Sequence, residues 1–212
     1  MDAELCGIRQ KFHPDVKMDG ILKYAWITTY ELEDQGHWFS QWQVDRFHER
    51  LKQITGDSKI SRKVGRYVTE SNASGHLRRY AMSFISPGAA YWFVEKIAPH
   101  LTRAHSFKSR KIGPNKIEVV ATPKPGVYER PYQCENRIGM LEAMSKLFTN
   151  KYARVDHPTC LHAGHDACRY VITWERTPSF VWRSLRNRLI FPSLLACLGM
   201  LFFVSSAFWT AV

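Results

Sequence analysis

The sequence carries none of the short motifs that mark the common enzyme classes: G-x-G-x-x-G, the Walker A loop, G-x-S-x-G and H-E-x-x-H are all missing from its 212 residues. That argues against nucleotide-dependent, serine-hydrolase and zinc-protease chemistry. Acidic residues are few, 19 against 30 Lys and Arg, which leaves a net charge of +11. An excess of this sign suits nucleic acid or an anionic membrane face. The amino-terminal run MDAELCGIRQKFHPDVK is polar, so no signal peptide is expected there. No internal repeat or low-complexity tract occurs. A hydrophobic content of 45% is that of a globular chain with a proper core, and the length allows one medium domain plus an extension.

What the chain concentrates is ligand chemistry. Three of its five cysteines and three of its nine histidines fall between Cys134 and Trp174, in the pattern C-x22-H-x2-C-x7-C through Cys134, His157, Cys160 and Cys168. Clustered cysteines and histidines in a cytosolic chain favour a metal over disulfides. Four N and S ligands suit a closed tetrahedral zinc site. Ile138, Leu141, Met144, Leu147 and Phe148 recur at helical spacing, so Cys134 stands near the first turn of an amphipathic helix. Tyr152 to Val155 then turns to strand alternation and delivers His157 and Cys160. Gly164-His165-Asp166 suits a tight turn before the β-rich run Arg169 to Trp174, and the resulting hairpin brings Cys160 to Cys168. The expectation is a structural zinc held by Cys134, His157, Cys160 and Cys168, with His165 competing with His157 for the fourth place. The alternative makes the cysteines small buried hydrophobes and leaves His162 and His165 as solvated loop residues.

Upstream, residues 1–22 show no period and read as an arm. Gly36 to Gly56 carries Trp38, Phe39, Trp42, Phe47, Leu51 and Ile54 as the apolar stripe of a helix, with Ser40 or Asp45 near its start. Asp57 to Glu70 is a second helix, His76 to Ile85 a short third. Ser86-Pro87-Gly88 starts a fourth that runs to Leu101, its last turn disturbed by Pro99. Two alternating runs, His105 to Ile112 and Lys116 to Thr122, are joined by Gly113-Pro114-Asn115, which is hairpin chemistry. Helices, hairpin, helix, hairpin is the order of an α+β domain: an antiparallel sheet of about four strands with helices packed on one face. Trp38, Trp42, Trp92 and Phe93 are the aromatics that suit either core packing or a pocket for an apolar ligand.

From Leu189 to Val212 no charged residue occurs over 24 positions, which as a helix spans ~36 Å, enough for a bilayer core. Arg183, Arg186 and Arg188 precede it beside Trp182, a basic cytoplasmic flank with an interfacial aromatic. The expected organisation is an arm at 1–22, a folded domain at 23–176, a basic juxtamembrane linker at 177–188 and a transmembrane helix at 189–212, with the domain on the cytoplasmic side of the cell membrane.

The run from Cys134 through HPTCLHAGHDACRYVITW resembles the four-vinyl-reductase-type sensor domain, a relative of the Bet3-like trafficking-complex subunits. The match is residue by residue over about 125–175 and only in the order of elements upstream. Where that family places an acidic ligand, His157 stands here. The resemblance implies a zinc-braced domain that binds a small apolar or aromatic molecule and signals to an output such as a histidine kinase or cyclase. Its expected partners are that ligand, the membrane and a second copy of the chain, with no nucleic acid. Two other classes compete: a reductase or hydratase acting on a tetrapyrrole-like ring, and a Bet3-like membrane tethering module. A metal closed by four protein ligands has no open position for substrate, which disfavours catalysis at the cluster.

Overall fold

The computed structural model describes residues 17–34, 36–72, 86–175 and 178–203. The alternating runs form the expected strands: β1 (His105–Gly113), β2 (Lys116–Pro123), β3 (Arg154–Thr159) and β4 (Cys168–Thr173). They make one antiparallel sheet in the order β1-β2-β4-β3. Because side chains alternate across a strand, Ile117, Val119, Ala121, Cys168, Tyr170 and Ile172 share a buried face, while Lys108, Arg110 and Arg169 stand on the exposed one. The sheet is therefore covered on one side, as the α+β reading requires.

The helices are α1 (Met18–Ala25), α2 (Thr29–Glu33), α3 (Gln41–Thr55), α4 (Ile60–Asn72), α5 (Pro87–Leu101), α6 (Pro131–Thr149) and α7 (Pro178–Phe203). Local chemistry sets several ends. Ser40 caps α3 in a reciprocal capping box with Gln43, and Gly56 closes it in the left-handed region at φ 62°. Ser86 caps α5, which continues through Pro99 to Leu101. Helix α1 begins at Met18, inside the stretch expected as an arm, and fully buries Ile21 and Ala25. The expected helix at His76 to Ile85 lies outside the described residues.

Two cores result. One joins Ile21, Ala25, Ile27, Leu32, Phe47, Leu51, Ile60 and Val64 from α1 to α4. The other joins the inner sheet face to Cys134, Ile138 and Leu141 of α6 and to Tyr91 of α5. Tyr91 is fully buried, stacks on Trp174 with ring centroids 5.5 Å apart, and donates its hydroxyl to the Leu141 carbonyl at 2.7 Å. Tyr91→Phe is expected to lose about 1 kcal/mol, a fall of roughly 2–4 °C in the thermal midpoint for a domain of this size.

Helix α6 is buried on two sides. Its other flank meets α4, where Gly65 and Gly139 let the backbones touch. Glu142 of α6 accepts hydrogen bonds from Arg62 and Arg66 of α4, the latter at 2.6 Å. Burial raises the Glu142 carboxyl, but the two guanidinium groups outweigh it and leave it below the ordinary range.

The described residues up to Glu175 and those from Pro178 onward form two compact units. The expected transmembrane helix is not supported: among the described residues no helix is long and apolar enough to cross a membrane. The reason is where the charge falls. Helix α7 includes Arg183, Arg186 and Arg188, and its uncharged described part, Leu189–Phe203, covers only ~22 Å, short of the roughly 30 Å of a bilayer core. The remainder of the uncharged run lies outside the described residues.

Candidate functional site

Cys134 lies in the first turn of α6, which Pro131 starts. His157 is on β3, Cys160 just past its end, and Cys168 opens β4. A 3-10 turn, Leu161–Ala163, and Gly164 at φ 87° fold the hairpin back. One ligand-type atom from each of Cys134, His157, Cys160 and Cys168 lies within 4.8 Å of the other three. The Cys134 sulfur is 3.6 Å from that of Cys168 and 3.9 Å from that of Cys160. The structure thus brings together the four residues singled out by spacing, and leaves His165 exposed on the turn, outside the group.

The thiols polarise one another. Cys168 is held below the usual thiol range, first by the Cys134 thiol, then by the Leu161 amide, His157 and Tyr170. Cys134 is pushed up correspondingly by its hydrogen bond to Cys168, by burial and by the charge of Cys168. His157 stacks on Tyr170 with centroids 4.5 Å apart, and its Nε2 is buried without a hydrogen-bond partner.

A buried ion network that the sequence reading missed adjoins this group. Glu129, just before α6, lies 2.6 Å from Nε2 of His105 at the start of β1 and is bound by Arg137 of α6. Arg137 also donates to the Tyr170 hydroxyl at 2.9 Å. Burial opposes ionisation of Glu129, but hydrogen bonding to His105 and the charge of Arg137 prevail and hold its carboxyl down at about 2. The available signal was Arg137 itself, three residues after Cys134 and next to Ile138 of the apolar stripe: an arginine this deep needs a carboxylate.

The four aromatics chosen for a ligand are half exposed: Trp38 46%, Trp42 51%, Trp92 50% and Phe93 41%. Trp38 lies under Arg103 at 4.4 Å, Trp42 meets the edge of Trp26 at 6.3 Å, and Trp92 packs on Phe93 at 5.3 Å. They decorate the surface of α3, its approach and α5 instead of facing one interior space. Trp42→Ala is expected to leave the thermal midpoint within about 2 °C of the parent, since surface truncations cost within ~0.5 kcal/mol.

No known family matches the sequence, and no curated protein matches it. Solved structures do. One is an H-NOX protein from S. oneidensis in the Fe(II)NO ligation state, 13% identical, with 82% of this chain and 97% of that one aligned at a TM-score of 0.61. Another is an oxygen-binding H-NOX domain related to soluble guanylate cyclases, at 16% identity, 82% and 93% coverage and a TM-score of 0.64. A third, from work on heme distortion in the H-NOX family, gives 16% identity, 82% and 92% coverage and 0.64.

The chain has the H-NOX fold. The expected four-vinyl-reductase-type or Bet3-like identity is corrected by these matches. That resemblance rested on three cysteines and a hairpin, a local pattern; the H-NOX likeness follows the path of 82% of the chain. The zinc expectation is corrected with it, because the structures sharing this fold are described by heme and its ligation states, not by zinc. Mutual hydrogen bonding of the sulfurs, the Leu161 amide and the stacked His157 ring account for the contacts within the cluster.

Proposed function

We propose that residues 17–175 are the ligand-sensing domain of a signal-transduction protein whose output is a histidine kinase or cyclase. What supports the reading is the extent of the fold likeness: 82% of this chain follows 92–97% of the H-NOX structures compared, one of them described as related to soluble guanylate cyclases. The sensing unit precedes a segment in which Arg183, Arg186 and Arg188 lead into an uncharged run. That order supports a domain held on the cytoplasmic side of the cell membrane.

The test is thermal unfolding of the full chain against a panel of small aromatic and heterocyclic compounds. A ligand present at 100 times its dissociation constant stabilises by about 2.7 kcal/mol, a rise of roughly 5–10 °C. Turnover of the bound compound would instead favour the reductase or hydratase reading. No shift across the panel, with a stable protein complex recovered, would favour the tethering module.

Cys134, His157, Cys160 and Cys168 enter this proposal as a soft ligand set with no ion assigned. Elemental analysis of the chain and of Cys160→Ser is the check. An element present in one equivalent in the parent and lost in the variant supports the ligand role, and none in either removes it.

A further inference from the structure

The structures that share this fold are described as heme proteins. Heme requires an axial ligand with a free lone pair and an enclosed space of several hundred Å3. The described residues leave no such enclosed space. Between the sheet and helices α5 and α6 the space is occupied by Tyr91 stacked on Trp174, 0% and 3% exposed. Between α4 and α6 there is no gap, since a Cβ on Gly65 or Gly139 would lie 2.1 Å from a facing carbonyl oxygen. Among α1 to α4, Ile21, Phe47 and Leu51 are fully buried against one another.

Two of the three buried or half-buried histidines nearest these spaces are engaged as well. His48 has its Nδ1 3.3 Å from the Ser61 hydroxyl and its ring stacked on Tyr132 at 4.1 Å, and burial takes its pKa down to about 4. His105 is committed to Glu129 at 2.6 Å. His157 keeps an unpaired Nε2, but its ring is stacked on Tyr170 at 4.5 Å and one of its nitrogens lies within 4.8 Å of the three cysteine sulfurs, which crowds out a macrocycle.

We infer that this chain uses the H-NOX fold without a heme, the interior among its described residues being closed by their own side chains, and that the molecule it senses is an organic compound, not a diatomic gas. The second half rests on the sensor reading above. Without an iron centre a diatomic gas offers two heavy atoms, and at the ceiling of binding efficiency per atom its dissociation constant is on the order of 10 mM. Micromolar binding needs roughly six heavy atoms at the same ceiling. Side chains alone recognise such a molecule; a gas they do not hold.

The test titrates hemin into the purified full chain, passes the sample through gel filtration, then reduces it and exposes it to CO. Expected is hemin that separates from the protein, or that remains below one equivalent with a Soret band unmoved by CO. One equivalent retained with a CO-shifted Soret band overturns the inference, and His48→Ala, His105→Ala and His157→Ala, each checked for folding by circular dichroism, then locate the axial ligand. That result leaves the sensor reading standing. Absence of both hemin and any stabilising compound from the panel tells against the sensor reading itself.

Discussion

Replacing Gly139 by alanine is expected to destabilise the unit of residues 1–175 by at least about 3 kcal/mol, near the upper end of overpacking effects. On intrinsic propensity alone the change should help, because alanine is worth about 1 kcal/mol more than glycine inside a helix. The contact across the helix pair reverses the sign. A Cβ at Gly139 would sit 2.1 Å from the Arg62 carbonyl oxygen, and one at Gly65 2.1 Å from that of Asn136. Both obstacles are backbone, so relief requires α4 and α6 to separate, which also pulls Arg62 and Arg66 from Glu142. Thermal unfolding followed by circular dichroism should show a fall of roughly 6–12 °C for either glycine. A midpoint that rises instead would mean the helices do not approach this closely.

The second large effect concerns Arg137. Arg137→Met keeps most of the apolar stem but leaves Glu129 buried with only His105 beside it, and removes the donor to Tyr170. Breaking one side of a buried pair costs about 3–5 kcal/mol. The effect has a definite pH dependence. The Glu129 carboxyl is depressed to about 2 in the folded chain, against about 4.3 for an ordinary glutamate. A depressed carboxyl contributes stability that is fully present above the unfolded value and disappears as pH falls through the folded one. The gap in stability between the parent and Glu129→Gln should therefore be constant from about pH 6 upward and close as pH drops through about 4 toward 2. Urea titrations at a series of pH values measure it, and a gap that does not change with pH would remove Glu129 as the ionised partner of Arg137.

Much of the local architecture was legible from residue order. The β1–β2 hairpin ends within one residue of the alternation, because Gly113-Pro114-Asn115 permits few other paths. Helix α3 starts at its Ser40 cap and stops at Gly56. The convergence of Cys134, His157, Cys160 and Cys168 was legible for a similar reason: three of the four sit on one hairpin, so only the placement of the α6 first turn had to be inferred.

Periodicity marks an apolar face without saying what covers it. Trp42 and Ile54 extend the stripe of Phe47 and Leu51, yet the first two are exposed and the last two fully buried. The family resemblance failed through the same locality, since a motif of about fifty residues does not specify how the helices upstream of it cross.

Sequence by itself determined the antiparallel hairpins, helices α3 and α6 and the grouping of thiols and imidazole, all of which depend on interactions between residues close along the chain, while α1 fell in a stretch without a readable period. Tertiary structure alone decided that Tyr91 meets Trp174, that Arg137 finds Glu129 and that Gly139 faces Arg62, and with these contacts the closed interior on which the heme question turns. Each pairs residues far apart along the chain or on different elements, and side-chain type and spacing state only that such a residue needs a partner. Which partner it obtains depends on helix crossing angles and interhelical distances, and these are set by the packing of whole faces at once.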